Sequence, residues 1–161
     1  MFYKIREVTP LDNYLLSVRF CIGITKIYDV KQLFDWKDVF AELKKDNLFY
    51  EAKVDKGGLG VIWNDEIDIS CNELWCKGRY IKTAFDGLIA FTDAIEMWGL
   101  NESTLRKAVS YKKLVNGIDV SKFGNQWVVT FSAMEREYSK YINDDEDKLK
   151  IIKEVKKLLE K

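Results

Sequence analysis

The stretch WGLNESTLRKAVS, residues 98–110, places a glycine between two segments with helical patterning. Gly99 suits the position that follows the last turn of a helix, and Asn101 suits the cap that begins the next one. The upstream helix is expected to start at Thr92, a good N-cap residue. The stretch therefore predicts two helices joined by a tight turn, the central unit of a helix-turn-helix.

The residues downstream extend this unit with a predicted hairpin and a third helix. The segment VSKFGNQWVVTF, residues 120–131, alternates around Gly124-Asn125, a reverse-turn pair. Ser132 is expected to open the helix that contains AMEREYSKY. The order helix, turn, helix, hairpin, helix predicts a winged helix-turn-helix over residues 89–141.

The second of these helices has a predicted inner face and a predicted outer face. Leu105, Ala108 and Val109 are spaced i, i+3 and i+4, so they must pack against the preceding helix. The side chains on the other side suit phosphates and base edges. The predicted DNA-binding residues are Ser103, Thr104, Arg106, Lys107, Ser110, Tyr111, Lys112 and Lys113, with Lys122 and Asn125 on the wing. The alternative is a helix-turn-helix that contacts only protein, with a basic face that is merely solvated.

The first half of the chain changes its hydrophobic period twice. Residues 2–30 alternate as the strands of an antiparallel meander do, and apolar residues in 29–46 recur with a period near 3.6, as in a helix. Strand patterns return in LFYEAKVD, LGVIWN and EIDIS, and Ser70 is expected to cap a short helix. This order predicts an α+β domain over residues 1–78, followed by a linker over residues 79–88.

Residues 142–161 predict a C-terminal amphipathic helix. Its apolar residues are spaced i, i+1, i+4, i+7 and i+8, which places them on one stripe. They are Ile151, Ile152, Val155, Leu158 and Leu159. Such a stripe either docks on its own domain or pairs with a second copy of the chain. In the second case these five residues form the interface, or seam, of a homodimer, and they are the candidate dimerisation residues.

The amino-acid composition narrows the classes of function. The 161 residues are 47% hydrophobic and include no histidine, so the commonest general base and the commonest zinc ligand are both missing. Cys21, Cys71 and Cys76 form no C-x-x-C pair. We expect no enzyme activity, no metal and no cofactor. Because apolar runs are too short for a bilayer and no charged-then-apolar leader opens the chain, we expect a cytoplasmic protein that does not span a membrane.

The motif WNDEIDIS contains three carboxylates within four positions, namely Asp65, Glu66 and Asp68. The first interpretation is a turn, in which short polar side chains bond to the local backbone. The second is a patch, flanked by Trp63 and Trp75, that meets a basic protein partner. Paired carboxylates for catalysis or for Mg²⁺ are the third. No histidine, nucleophile or distant ligand converges by sequence, so the first two are favoured in that order.

Several residues of the predicted winged unit form a longer pattern, A-x-x-x-W-G, S-T-L-R, K-x-G-x-x-W and A-M-E-R. They are Ala94, Trp98, Gly99, Ser103, Thr104, Arg106, Lys122, Gly124, Trp127 and the run Ala133-Met134-Glu135-Arg136. The pattern resembles short bacterial helix-turn-helix modules of the excisionase and MerR-like kind and covers residues about 90–138. The resemblance implies that the helix carrying Ser103, Thr104, Arg106 and Lys107 recognises DNA.

The first half carries the stretches IREVTPLDNYLLSVRF, IYDVKQLF and VDKGGLGVIWNDEIDISCNELW. They resemble the bacterial domain-of-unknown-function 2442 family and cover residues about 3–75. Members of that family often sit beside small toxin genes, and some carry a C-terminal helix-turn-helix. The resemblance implies an antitoxin-type regulator.

Three functional hypotheses follow. The first is an antitoxin-like transcription regulator, whose first domain binds a small basic toxin and whose second domain binds operator DNA. The second is a DNA-binding regulator whose first domain senses a small ligand. The third is an adaptor that binds only proteins. A deep apolar pocket in the first domain favours the sensor, whereas a flat acidic face favours the antitoxin.

Overall fold

Apolar and polar side chains alternate along the first strands of the chain, and these strands pair to form the first sheet. The computed structural model describes residues 3–142 and 145–161. Its first sheet has the antiparallel order β1-β2-β3-β7. These strands are β1 (Ile5–Leu11), β2 (Leu15–Phe20), β3 (Thr25–Asp29) and β7 (Arg79–Tyr80). Along β2 every second residue is buried, which confirms the predicted meander.

A second sheet lies in the same domain. It has the antiparallel order β4-β5-β6, with β4 at Lys53–Val54, β5 at Gly60–Ile62 and β6 at Asp68–Ser70. Helix α1 follows at Cys71–Lys77. Ser70 caps it as predicted, since its Oγ accepts the Glu73 N–H at 3.2 Å. The fully buried side chains of this domain include Phe20, Tyr28, Leu43, Phe49 and Leu74.

The helix predicted over residues 29–46 is not an α-helix. The chain forms short 3₁₀ segments instead, at Val30–Leu33 and Asp38–Lys44, and another at Leu48–Glu51 where a strand was predicted. Lys37 is extended between the first two segments, with φ −141° and ψ 132°. Over so few residues, apolar side chains at i and i+3 suit a 3₁₀ segment as well as an α-helix, so the period could not separate them.

The predicted linker over residues 79–88 is also corrected. The chain divides into two compact units, Met1–Thr83 and Ala84–Lys161. Arg79 and Tyr80 belong to the first unit because they pair with β3 as strand β7, and Leu88 begins a strand of the second unit. Strands of two or three residues are too short to show an alternating pattern.

The second unit contains the predicted helix-turn-helix and its hairpin. Its sheet has the antiparallel order β8-β10-β9. The elements are β8 (Leu88–Ala90), α2 (Phe91–Trp98), α3 (Glu102–Ser110), β9 (Val120–Phe123), β10 (Gln126–Thr130) and α4 (Phe131–Tyr138). Both α2 and α4 start one residue before their predicted caps, and Thr130 Oγ1 accepts the Ala133 N–H at the start of α4. Strand β8 pairs with β10 and so adds a third strand to the hairpin, which the sequence did not predict.

The C-terminal helix α5, Glu146–Leu159, packs on its own domain. Ile151, Ile152 and Val155 are 5%, 4% and 0% exposed within the single chain, and a Cβ built on Gly87 would lie 3.5 Å from a methyl group of Leu159. The interpretation of the whole stripe as a dimer seam is thus wrong, because its central residues are already covered; Leu158 and Leu159 are half-buried. Residues 143 and 144, at the start of the predicted segment, lie outside the described residues. In the part of the chain that the structure describes, no helix has the length and apolar character needed to cross a membrane.

Candidate functional site

Helix α3 has one buried face and one exposed face. Leu105 and Ala108 are 0% and 5% exposed, and Val109 is half-buried. The exposed residues are Ser103, Arg106, Lys107 and Ser110, and Thr104 is half-buried. The turn before α3 contains Gly99 at φ 64°, a left-handed conformation that glycine adopts readily. This turn holds α3 so that its polar residues face solvent.

Arg106 is paired within α3. Its Nε and Nη2 donate to Glu102 Oε1 at 2.9 and 2.6 Å, and the two side chains are 61% and 64% exposed. An exposed pair at i,i+4 contributes only about 0.3–0.5 kcal/mol, so the guanidinium can exchange Glu102 for another acceptor. Lys107 has no side-chain partner among the described residues.

Helix α3 ends at Ser110, so Tyr111, Lys112 and Lys113 follow the helix and are not part of it. Lys112 adopts φ 59°, in the left-handed region. The Lys112 N–H donates to Val109 O at 3.1 Å, and the Lys113 N–H donates to Ala108 O at 2.9 Å. These two bonds form a Schellman motif, in which the left-handed position is usually glycine. A lysine therefore occupies a backbone position that does not favour it.

The exposed side chains after α3 differ in their contacts. Tyr111 is 79% exposed, and Lys112 is exposed without a side-chain partner in the described chain. Lys113 Nζ lies 3.8 Å from Glu137 Oε2 and 4.9 Å from the centroid of the Tyr138 ring, both on α4. Lys113 is thus engaged with α4, whereas Lys112 is available to a ligand.

The hairpin β9–β10 forms the wing. Its turn contains Gly124 at φ 59°, followed by the exposed Asn125. Lys122 is exposed, with Nζ 5.9 Å from the centroid of the Trp127 ring, and that ring stacks on Phe91 of α2 with centroids 5.6 Å apart. Trp127 therefore holds the wing against α2, and Lys122 and Asn125 lie at the tip.

A buried carboxylate braces the loop between α3 and the wing. Asp119 is 5% exposed, and its Oδ2 accepts the Val115 N–H at 2.9 Å. Arg136 of α4 contacts both carboxylate oxygens, with Nη1 3.2 Å from Oδ1 and Nη2 3.1 Å from Oδ2. Burial alone would raise the pKa of Asp119, but the Val115 N–H and the Arg136 guanidinium outweigh it and lower the pKa. The loop that leads into the wing is therefore fixed to α4.

No pattern in the sequence predicts this contact between Asp119 and Arg136. Arg136 belongs to the A-M-E-R run of the helix-turn-helix resemblance, and no motif includes Asp119. A lone aspartate in a polar loop carries no periodic signal, so its burial follows only from the fold. The one available hint is that GID, residues 117–119, leads directly into an apolar strand.

The acidic motif of the first domain forms the loop between β5 and β6, which carries Asp65 and Glu66, and then β6 itself, which begins at Asp68. Asn64 Oδ1 accepts the N–H groups of Glu66 and Ile67, both at 2.9 Å, which is the predicted turn chemistry. Asp65, Glu66 and Asp68 are exposed, and no cation in the described part of the chain pairs with them. In that same part, no cluster of three potential ligands is positioned to hold a metal ion.

The two tryptophans expected to flank this acidic patch are core residues instead. Trp63 and Trp75 are each 4% exposed. Trp63 Nε1 donates to Phe49 O at 2.8 Å, and the Trp75 ring stacks on Tyr3 at 4.2 Å and carries Lys26 Nζ 4.3 Å from its centroid. Their assignment to a partner surface is wrong because neither ring reaches the surface. A sequence pattern cannot distinguish an indole at an interface from one in a core.

Comparisons with known proteins assign both halves of the chain. Residues 5–80 match the family model described as a protein of unknown function, DUF2442, and residues 81–143 match a model described as a helix-turn-helix domain. No curated protein and no solved structure matches the chain. A helix-turn-helix domain points to a DNA-binding regulator. The first half of the chain is thus similar to the DUF2442 family, and the second half is similar to helix-turn-helix domains.

Proposed function

We propose that this protein is a DNA-binding transcription regulator with α3 as its recognition helix. The observation that carries the proposal is the division of α3 into a buried face, with Leu105 and Ala108, and an exposed face, with Arg106 and Lys107. The major groove of B-DNA admits an α-helix, and a helix-turn-helix lays its second helix there. The match to a helix-turn-helix domain supports the same role.

The side chains on the exposed face suit distinct parts of DNA. Arg106 can donate two hydrogen bonds to the O6 and N7 of a guanine once it leaves Glu102. Lys107 can pair with a phosphate, and the hydroxyls of Ser103, Thr104 and Ser110 can bond to phosphate or base edges. In this proposal, Arg106 gives specificity and the others mainly fix the position of the helix.

Residues outside α3 would hold the flanking backbone. Lys112 and Tyr111 follow the helix, and Lys122 and Asn125 lie at the wing tip. Each lysine that neutralises a phosphate releases counterions and makes binding weaken with salt. Lys113 contributes less in this proposal, because it already pairs with α4.

Net charge is too small to give tight binding by itself. Residues 77–138 contain 9 basic and 7 acidic side chains, so a single copy would have weak sequence-independent affinity. We expect two copies to bind a site with two-fold symmetry, as helix-turn-helix dimers do. The proposal places the contact between the copies outside the buried residues of α5, because their own domain already covers them.

The test is selection of binding sites from a random duplex library with the full chain, followed by fluorescence anisotropy. We expect an enriched symmetric sequence that binds at least tenfold more tightly than its scrambled form. Size-exclusion chromatography with light scattering would then show two copies per duplex. If no sequence is enriched and neither duplex binds at low salt, DNA recognition is rejected and the protein-adaptor hypothesis replaces it.

The finer part of the proposal is that the first domain binds a small basic protein, as an antitoxin does. Its support is the exposed loop with Asp65 and Glu66, whose carboxylates have no partner among the described residues, while Asn64 bonds to the loop backbone. Carboxylates that are free in this way can complement a basic surface. The resemblance of this half to proteins encoded beside toxin genes points in the same direction.

Copurification with the product of an adjacent small basic reading frame tests this part. Asp65→Lys combined with Glu66→Lys should weaken the complex by an amount on the order of several kcal/mol, because like charges then face each other. Asp12→Lys, which reverses an exposed charge in another turn of the same domain, is the matched control and should change little. Equal affinity of the double variant and the control would leave the loop with no role beyond its turn.

A further inference from the structure

The first domain contains an open groove that neither DNA recognition nor the acidic loop explains. Its volume is about 510 Å³. The 3₁₀ segments before β4 form one side, and β6 with the start of α1 forms the other. Leu33, Phe40 and Ile69 line it with apolar surface and are themselves 5%, 4% and 4% exposed. The apolar base of the groove is therefore part of the domain core.

Trp36 stands on one side of this groove with most of its ring in solvent. It is 66% exposed, whereas Trp63 and Trp75 of the same domain are each 4% exposed. Lys37 Nζ lies 4.4 Å from the centroid of the Trp36 ring, within the range of a cation–π contact. The ring face thus accepts a cation, and the chain itself supplies one in the absence of a partner.

Two carboxylates line the opposite side. Asp68 is exposed and has no cation partner among the described residues. Glu73 is half-buried, and its Oε1 accepts the hydroxyl of Tyr28 at 3.0 Å. Burial, and then Glu73 itself, raise the pKa of Tyr28, so the hydroxyl stays protonated and holds the carboxylate in place. The bond uses one oxygen of Glu73 and leaves the other for a ligand.

We propose that this groove binds a basic segment of a protein partner. An arginine or lysine of that segment replaces Lys37 on the Trp36 ring and pairs with Asp68 and Glu73, while neighbouring apolar side chains lie on Leu33 and Phe40. Charge favours this occupant, because the described lining of the groove includes two carboxylates, Asp68 and Glu73, and one lysine, Lys37. The inference deepens the partner-binding part of the proposed function and does not depend on DNA recognition.

The open form of the groove favours a peptide segment over a small amine. Sites for small molecules usually enclose most of the ligand surface. Here the exposed Trp36 and Asp68 leave the groove open to solvent. An open groove instead suits side chains carried on a second chain, which supplies further contacts outside it. It also lies beside the acidic loop in sequence, since Asp68, the first residue of β6, comes soon after Asp65 and Glu66.

The test is an NMR titration of the full ¹⁵N-labelled chain with an acetylated, amidated pentapeptide of alternating leucine and arginine. The indole signal of Trp36, assigned by its loss in Trp36→Phe, should shift on binding. The same peptide with citrulline in place of arginine keeps the shape and removes the charge, and it should bind about fivefold more weakly, which is in the range expected for a cation on an aromatic face. Asp68→Asn with Glu73→Gln should weaken the arginine peptide by a similar factor.

Lys37→Gln separates this proposal from general attraction of a cationic peptide. It removes the competing cation, so the arginine peptide should bind about threefold more tightly, a small change of the size that one exposed cation–π contact gives. Tyr50→Ala, at an aromatic residue that is 51% exposed in the same domain, is the matched control and should have no effect.

Three results would overturn the proposal. They are equal binding of the arginine and citrulline peptides, an unshifted Trp36 indole, and binding of free arginine amide as tight as that of the peptide, which would indicate a small-ligand sensor. Binding of the selected duplex is measured for every groove variant. If the peptide fails to bind while the duplex still binds, only the groove proposal is rejected. If the wild type fails to bind any duplex, only the role of α3 as a recognition helix is rejected.

Discussion

Two arginine–carboxylate pairs lie in the second domain and differ in how far they are exposed to solvent. Arg106 and Glu102 are both more than 60% exposed on α3. Arg136 is half-exposed, but its partner Asp119 has only 7% of its side chain in solvent. An exposed pair is weak, since water replaces each partner easily, whereas a buried carboxylate depends on its partner. Arg106 can therefore exchange Glu102 for a ligand, whereas Arg136 stabilises the part of the domain that positions α3.

The largest difference between the pairs is expected in stability. Asp119→Ala removes the acceptor of the Val115 N–H and leaves Arg136 without its buried partner, so the domain should lose about 2–3 kcal/mol of its free energy of unfolding. Glu102→Ala should lose no more than about 0.5 kcal/mol. Urea denaturation followed at amide signals of β9 and β10 measures the second domain separately from the first. Equal losses for the two variants would remove the distinction drawn between the pairs.

The second difference is expected in DNA recognition. Arg106→Ala should reduce discrimination against a substituted guanine by about 1–3 kcal/mol. Glu102→Gln should do the reverse and tighten binding, because it frees the guanidinium and removes a carboxylate from the phosphate surface. Anisotropy with the selected duplex and its single-base variants measures both. An Arg106→Ala protein that keeps its preference among these duplexes would assign Arg106 to the solvated surface.

The outer face of α3 could be predicted, and the brace behind it could not, for a physical reason. Leu105 and Ala108 repeat with the helical period, so one side of the helix must be buried and the other must be exposed. The burial of Asp119 depends on Arg136, which lies 17 residues away in sequence, and no local pattern reports such a contact. The same reason explains why the burial of Trp63 and Trp75 could not be predicted. Their apolar character is evident from the sequence, but how far each ring is buried depends on the packing of the whole domain.

The dependence of stability on pH should also separate the pairs. The pKa of Asp119 in the folded chain lies below its ordinary value of 3.8. Its contribution is therefore complete above that value and is lost as the pH falls through the lower, folded pKa. Arg136 lowers the pKa of Glu137 as well, which adds a change of the same sign.

Acid denaturation curves of the wild type and Asp119→Asn give the measurement. The stability difference between the two proteins should be constant from pH 7 to pH 5 and should shrink below about pH 4, where an unfolded aspartate becomes protonated. Glu102→Gln provides the control, since its curve should follow the wild type to within a few tenths of a kcal/mol. A constant difference down to pH 2 would mean that Asp119 does not act through its charge.

The smallest expected effect concerns the ends of the two helices that surround the recognition turn. Gly99 follows α2 at φ 64° and Lys112 follows α3 at φ 59°, so the same left-handed position holds glycine in one case and lysine in the other. A Cβ at Gly99 would contact nothing within 4 Å, so the difference between the sites is one of backbone preference. Lys112→Gly should stabilise the domain by about 0.5–1 kcal/mol, and Gly99→Ala should destabilise it by a similar amount.

Lys112 is therefore expected to lower the stability of the domain through its backbone conformation and to strengthen DNA binding through its charge. Replacing it separates residues that stabilise the fold from residues that contact DNA. Lys112→Gly should weaken binding to the selected and scrambled duplexes alike, and it should lower the slope of log affinity against log salt by about one. Lys112→Asn is a useful companion, because asparagine tolerates the left-handed region and also lacks the charge. If Lys112→Gly raises stability and leaves the salt slope unchanged, the lysine does not contact phosphate. If both slope and affinity fall while stability rises, the chain carries a strained lysine at the end of α3 because the DNA backbone lies beside it.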